Sequence, residues 1–354
     1  MLDQTRDRIV AANRSKAVHV DDTLTNDWHV VAFSKDVAEG QLLGTTLLGE
    51  DLVVWRHDGK IALWKDLCIH RGARLSKGWL VEGTVVCPYH GWRFNREAKC
   101  VHIPAHPDTP PPLRARAFAH RVEERYGLIW ASLGEPPQDI PHLPEWAKEG
   151  FRTFHAGPYP YKANSFRAVE NFIDATHFPF VHAGVNGVMA EPERINDYKL
   201  ERDEDGLRTT GIRVYQPYGD HRQVPVHAEY RYWVMRPNTA YFNKHVRIAD
   251  PALAHLGTDS DHFCTFLTAQ PIDEVNCIIR LVVAINFGAE LTEADILRRQ
   301  DVVFAQDREI VETQHPERIP IDLREELHVR SDRLAVEYRR WLKELGVTYG
   351  TSGD

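Results

Sequence analysis

The sequence predicts an α+β chain, an N-terminal all-β domain followed by a larger domain of long strands and late helices. Three observations carry this. The chain has 354 residues, room for about two domains at roughly 100 to 200 residues each. Between Trp28 and Leu133 the apolar residues come in short β-branched runs divided by turns. Beyond Pro144 long strand-like stretches precede helical ones without alternating βαβ units.

In chain order, residues 1–27 are polar with a weak helical period and form a separate N-terminal helical segment. The domain at 28–135 opens with Trp28-His-Val-Val-Ala-Phe33, Leu42-Leu-Gly-Thr-Thr-Leu-Leu48, Leu52-Val-Val-Trp55 and Ile61-Ala-Leu-Trp64, the last two joined by the turn His57-Asp-Gly-Lys60. Strands continue through Glu82–Val86 and Tyr126–Leu133. Pro-rich stretches at 104–112 and 136–144 interrupt regular structure, and the second begins the domain at 136–354. There, Phe166 to His182 reads as a helix broken at Pro179. Strands follow at Ala228–Met235, Ala240–Ile248, Phe263–Pro271 and Cys277–Phe287. A helix begins after Thr292, capped with Asp295 three residues on, and runs to about Gln314; the last, Ser331 to Leu345, closes at Gly346.

Composition narrows the function. With 51 Asp+Glu against 43 Lys+Arg, a net charge of −8 and no long basic block, nucleic acid and anionic membranes are poor partners, because such binding neutralises phosphates with clustered cations. No apolar run approaches the ~20 residues of a membrane-spanning helix, and Met1–Arg14 lacks a signal-peptide core. A cytoplasmic protein acting on a small organic molecule is expected.

Two short loops gather soft metal ligands: Cys68-Ile-His70 and Cys87-Pro-Tyr-His90. Each contributes one thiolate and one imidazole, a set that suits zinc or an iron–sulfur cluster. Structural zinc usually pairs ligands at least two residues apart, whereas Cys68 and His70 are separated by one. One Cys from each loop on a buried iron and one His from each on an outer iron is the donor set of a Rieske [2Fe–2S] cluster. Cys100, Cys264 and Cys277 have no partner at useful spacing and read as buried or free thiols.

A second constellation lies in Glu170-Asn-Phe-Ile-Asp174-Ala-Thr-His177-Phe-Pro-Phe-Val-His182. On a regular helix Asp174 and His177 share a face and His182 is rotated away, so a distortion at Pro179 is needed to bring both imidazoles to one metal. The competing reading is a packed core with satisfied histidines. A non-haem Fe(II) centre also needs a carboxylate. Asp307 offers one on the apolar stripe of the late helix, with Val303, Phe304, Ile310 and Val311 around it. Its alternative is a buried ion pair with Arg167 or Arg280.

The stretch Cys68-Ile-His-Arg-Gly72 with Cys87-Pro-Tyr-His-Gly-Trp-Arg-Phe94, and the pattern Asn171, Asp174, His177, His182, resemble the α-subunits of Rieske non-haem iron oxygenases. The tail Tyr338–Gly350, Cys100–Pro107 and Glu124–Trp130 are similar to the subgroup that includes the saxitoxin-tailoring hydroxylases. The resemblance implies a helix-grip second domain, an antiparallel sheet around a long helix. It implies a [2Fe-2S] cluster on Cys68, His70, Cys87 and His90, and Fe(II) on His177, His182 and Asp307, with Asp174 coupling the two centres. It further implies O2 as co-substrate and electrons from NAD(P)H through a separate reductase, with or without a ferredoxin, since no Gly-rich dinucleotide fingerprint follows a strand. The expected assembly is a homotrimer in which His90 or His70 of one protomer reaches Asp174 of its neighbour. The expected reaction is monooxygenation or oxidative demethylation of a small cyclic or aromatic compound. A cis-dihydroxylating dioxygenase, a ferredoxin-like electron carrier and a zinc-stabilised binding module are the alternatives.

Overall fold

The computed structural model describes residues 19–218 and 221–353. Residues 1–18, most of the expected N-terminal helical segment, lie outside the described residues; within the remainder of that segment Asp22–Thr25 forms a single helical turn. The chain divides into two compact units, Met1–Gln138 and Asp139–Asp354. None of the described helices is long and apolar enough to cross a membrane.

The first unit is built from antiparallel strands β1 (His29–Phe33), β2 (Leu42–Leu47), β3 (Glu50–His57), β4 (Lys60–Lys65), β5 (Trp79–Val81), β6 (Thr84–Val86), β7 (Arg93–Phe94), β8 (Cys100–His102), β9 (Arg121–Arg125) and β10 (Leu128–Ser132). They pair as β1-β10-β9, β2-β3-β4 and β5-β6-β7-β8. Tight two-residue turns join four of these pairs: Leu48-Gly49, Asp58-Gly59, Glu82-Gly83 and Tyr126-Gly127, all at positive φ. Such left-handed pairs match the twist of the strands they connect. Glu82 and Tyr126 are therefore turn residues, and the flanking strands start later than the sequence suggests. Trp55, Trp64, Leu75, Val85 and Phe94 pack into a core with Cys68 and Cys87.

The second unit carries β11 (Arg152–Tyr161), β12 (Leu200–Asp203), β13 (Gly206–Thr209), β14 (Ile212–Gln216), β15 (Val226–Arg236), β16 (Thr239–Ile248), β17 (Asp261–Pro271) and β18 (Cys277–Ile285). They form one antiparallel sheet in the order β11-β18-β17-β16-β15-β13-β12, with β14 also on β15. β11 to β14 were not anticipated, because Pro, Gly and charged residues dilute their alternation. The helices are α1 (Ser165–Phe172), α2 (Phe178–Val181), α3 (Glu293–Val311) and α4 (Arg333–Glu344). α1 and α3 pack on the sheet and on each other, the helix-grip arrangement. Thr292 and Asp295 close a capping box at the start of α3, and Gly346 adopts φ 71° past the end of α4.

One expected helix is really two. α1 stops at Phe172, well before Pro179. Asp174 is the reason: its carboxylate accepts from the backbone N–H groups of Thr176 (2.9 Å) and His177 (3.2 Å), a local turn that competes with helix continuation. Pro179 then falls in the first turn of α2, where its missing N–H leaves no bond unmade.

Candidate metal centres

The two Cys/His loops follow β4 and β6 and share one backbone design. Cys68 N–H donates to Ala73 O (2.8 Å) and Gly72 N–H to Cys68 O (2.9 Å); Cys87 N–H donates to Trp92 O (2.9 Å) and Gly91 N–H to Cys87 O (3.0 Å). Gly72 (φ 73°) and Gly91 (φ 70°) supply the left-handed corner that each loop requires. The loops turn both thiols into the core, while His70 is half-buried and His90 exposed. The two imidazole rings lie 4.6 Å apart, and Trp92 stacks on His70 at 4.3 Å.

Chemistry at these donors fits a cluster. A hydrogen bond between the sulfurs, with burial adding to it, pushes the Cys68 thiol up, and the same bond holds Cys87 down. Two buried sulfurs sharing a proton are a site where a cation takes the proton's place. His70 Nδ1 is buried without a hydrogen-bond partner, which leaves a lone pair withheld from water. Among the described residues the four donors do not fall into one group within 4.8 Å of one another, as the second site does.

The second site joins three elements. His177 precedes α2, His182 follows it, and Asp307 lies on the buried side of α3. His177 Nδ1 lies 3.0 Å from Asp174 Oδ2 and His182 Nδ1 lies 2.9 Å from Gln306 Oε1. Both partners only accept, so each Nδ1 carries the proton and each Nε2 keeps its lone pair. Those two Nε2 atoms face each other at 3.2 Å. Asp307 Oδ1 stands 3.1 Å from His182 Nε2 and 3.5 Å from His177 Nε2, buried and with no donor. Three lone pairs pointed at one another repel unless a cation sits among them. Separations near 3 Å are the spacing expected of nitrogen and oxygen ligands each about 2.0–2.2 Å from one ion.

Electrostatics agree. Burial disfavours a charged His177, yet the Asp174 hydrogen bond and the charges of Asp174 and Asp307 outweigh it and raise its pKa. Burial pushes Asp174 up, and the bonds from His177 and Thr176 overcome that and hold it down. The alternatives for Asp307 do not arise: Arg167 pairs with Glu326 at 2.8 Å and Arg280 donates to Gln270. Ile310, expected on the buried stripe beside Asp307, is exposed.

A cavity opens at this triad, lined by Phe172, Phe178, Tyr230, Phe242, Phe263 and Phe304. Tyr241 and Asn243, the expected pocket residues, are on the opposite face of β16. There Tyr241 donates to Glu145 (2.8 Å) and Asn243 to Cys264 Sγ (3.2 Å). Alternation along the strand was legible, but its phase was not. Gln306 and Thr176, which position His182 and Asp174, also escaped sequence reading, and only adjacency to Asp307 and His177 marks them.

These sites and this fold define the class. Residues 27–116 match the Rieske [2Fe-2S] domain and residues 161–348, more than half of the chain, match the vanillate O-demethylase oxygenase C-terminal domain. The chain belongs to the Rieske non-haem iron oxygenases. It is 29% identical over 333 residues to the methylxanthine N1-demethylase NdmA of Pseudomonas putida, covering 91% of this chain and 89% of that protein. The solved structure of NdmA with caffeine matches with a TM-score of 0.77 at 26% identity over 91% of each chain. The probable methylxanthine N7-demethylase NdmC of Pseudomonas sp. (strain TJI-51) is 35% identical over 235 residues, 64% of this chain and 78% of that protein. Oxidoreductase NdmD of P. putida shares 39% identity over 114 residues, 32% of this chain and 19% of that protein. The chain is thus the terminal oxygenase component of such a system, with a [2Fe-2S] cluster, non-haem iron and electrons supplied by a separate reductase.

Proposed function

We propose that this oxygenase removes a methyl group from nitrogen or oxygen on a small flat ring compound. The observation that carries the reading is the aromatic cavity opening on the His177, His182 and Asp307 donors, in a chain whose relatives are named as N-demethylases. Overall, O2, two electrons and two protons convert the N- or O-methyl to a hydroxymethyl group and water. The hydroxymethyl group then leaves as formaldehyde, with its proton going to the freed nitrogen or oxygen. When bound, the cluster supplies the electrons one at a time and the mononuclear iron supplies oxygen activation.

The chain's residues have separate tasks. Cys68, His70, Cys87 and His90 hold the cluster, and His177, His182 and Asp307 hold the iron. Asp174 fixes the His177 tautomer, and its side chain, 30% exposed, gives a cluster-ligand histidine a place to approach. The phenylalanines stack on the substrate ring and keep water from the reacting carbon. We also propose a homotrimer in which His90 or His70 of one protomer reaches Asp174 of the next. NAD(P)H as the electron source and the thiols of Cys100, Cys264 and Cys277 support a cytoplasmic location.

The test is product analysis on a panel of methylated purines and methoxyarenes with a supplied reductase. Formaldehyde equal to NADH consumed, with loss of one methyl from the substrate, is the expected result. A product gaining one oxygen with its methyl retained makes this a simple hydroxylase, and one gaining two makes it a dioxygenase.

A further inference from the structure

Resting on the reading that the cavity at the triad receives a ring compound, its volume implies a door. The cavity offers about 70 Å³, less than half of the roughly 150 Å³ that admits benzene to an apolar core. A methylated ring is larger than benzene, so this space must join a neighbouring one before such a compound can enter. Two neighbours adjoin it. One, of about 380 Å³, shares Phe178 and Asn186 with the cavity. The other, of about 950 Å³, shares His221 and Arg299 with it and continues past Val185, Leu291 and Val302. Arg299 donates to Asn186 Oδ1 at 3.1 Å, so this one hydrogen bond runs along the seam between the three spaces. Asn186 is its fixed half. The backbone N–H groups of Val185 and Asn186 both donate to His182 O at 2.9 Å, and Gly187 lies so close to Pro179 that a Cβ there would meet Pro179 Cα at 2.6 Å. Arg299 is the half that can turn, a long, partly buried side chain on α3 with several rotatable bonds.

We propose that the Arg299–Asn186 hydrogen bond is the latch on the substrate cavity. While it is made, the cavity is closed to rings. When Arg299 turns away, the cavity joins the outer space and a ring can pass to the metal donors. The pair is therefore specificity-determining through the width of compound it admits, and neither residue supplies a donor to the triad.

The experiment reads access to the cavity with a thiol rather than with turnover. Thr265 lines the cavity and is 1% exposed, and Thr265→Cys places a thiol there with little change of volume. The anaerobic holoprotein is treated with N-ethylmaleimide and with the wider N-phenylmaleimide. Labelling at position 265 is followed by fragment mass, with the unsubstituted chain as background, and scaled by each reagent's rate with free cysteine. Labelling samples the open population, so the Thr265→Cys protein should disfavour the phenyl reagent about tenfold or more. Adding Asn186→Ala should raise phenyl labelling about tenfold, the effect of losing one hydrogen bond from a charged donor. Adding Asn186→Asp gives the guanidinium an ionised acceptor, a stronger bond, and should lower it about fivefold or more. Arg299→Lys, made on the other partner, should act as Asn186→Ala does. Opposite shifts in the two Asn186 variants support the latch. Labelling that is absent or within about twofold of the parent in both, shifts in one direction only, or equal labelling of the parent by the two reagents overturns it. Formaldehyde release from 1,3,7-trimethylxanthine and 4-methoxybenzoate keeps the two readings apart. Formaldehyde with unchanged labelling removes the latch and leaves the demethylase reading standing; opposite shifts without formaldehyde from either compound or from the wider panel keep the latch and remove that reading.

Discussion

The two metal-binding arrangements are built over different ranges of the chain. In the first unit, two loops with the same hydrogen bonds, Gly72 to Cys68 and Gly91 to Cys87, present their donors within 23 consecutive residues, 68–90. In the second unit, Asp307 lies 125 positions beyond His182 and meets it only because α3 packs against the sheet that also supports α1. The first is therefore a property of local backbone geometry. The second is a property of the folded core, and orienting groups such as Asp174 and Gln306 must hold its rings in register.

If that distinction is right, the two centres fail independently. The largest effect is expected from Asp307→Ala, which removes the one charged donor of the triad. Iron should fall from about three to about two per chain, the count of a [2Fe–2S] cluster alone, and turnover by about a thousandfold or more. The visible spectrum should stay. Cys87→Ser should do the reverse to the colour. An Asp307→Ala protein that purifies bleached would show that the two units depend on each other for cluster retention.

Asp174→Ala comes next. Its carboxylate holds the His177 tautomer and ends α1, but supplies no donor atom to the triad. Turnover should fall about 10- to 100-fold with the cluster spectrum intact. Turnover near wild type would remove the coupling role. Gln306→Leu should be milder, with iron lost to a chelator about tenfold faster. His182 is 1% exposed, so packing alone preserves much of its orientation. Comparable iron loss in Asp174→Ala and Gln306→Leu would mean that packing contributes little at either ring.

The same division explains what could be read from the sequence. Cys68, His70, Cys87 and His90 were legible because a loop's spacing is its geometry. Strands β17 and β18 were legible because burial on both faces leaves long apolar runs, and β15 because buried and more open positions alternate along it. His177, His182 and Asp307 needed a family pattern, since nothing local says that α3 returns to α2. The helix break was misread because proline is a conspicuous stop signal, whereas Asp174 ends α1 through side-chain bonds that resemble any other acid in the sequence. Phe242 and Lys244 were overlooked for Tyr241 and Asn243 because a strand with buried groups on both faces, such as Lys244 on the cavity side and Tyr241 on the other, gives no phase.

The smallest effect probes the twin loops against each other. Gly72 and Gly91 have nearly the same left-handed φ, so alanine at either costs about 1–2 kcal/mol in backbone strain. Their surroundings differ. A Cβ at Gly72 would sit 3.6 Å from Leu67 Cδ1, ordinary contact, while one at Gly91 would meet Pro104 Cγ at 3.0 Å. Gly91→Ala should therefore lower the melting temperature of the first unit more than Gly72→Ala, by several degrees, since about 1 kcal/mol shifts a domain of this size by roughly 4–8 °C. Loss of visible absorbance on heating reads that unit directly. Equal shifts would mean that the Pro104 side yields freely and that backbone strain alone sets the cost in both loops; a larger shift for Gly72→Ala would contradict the assigned packing around the second loop.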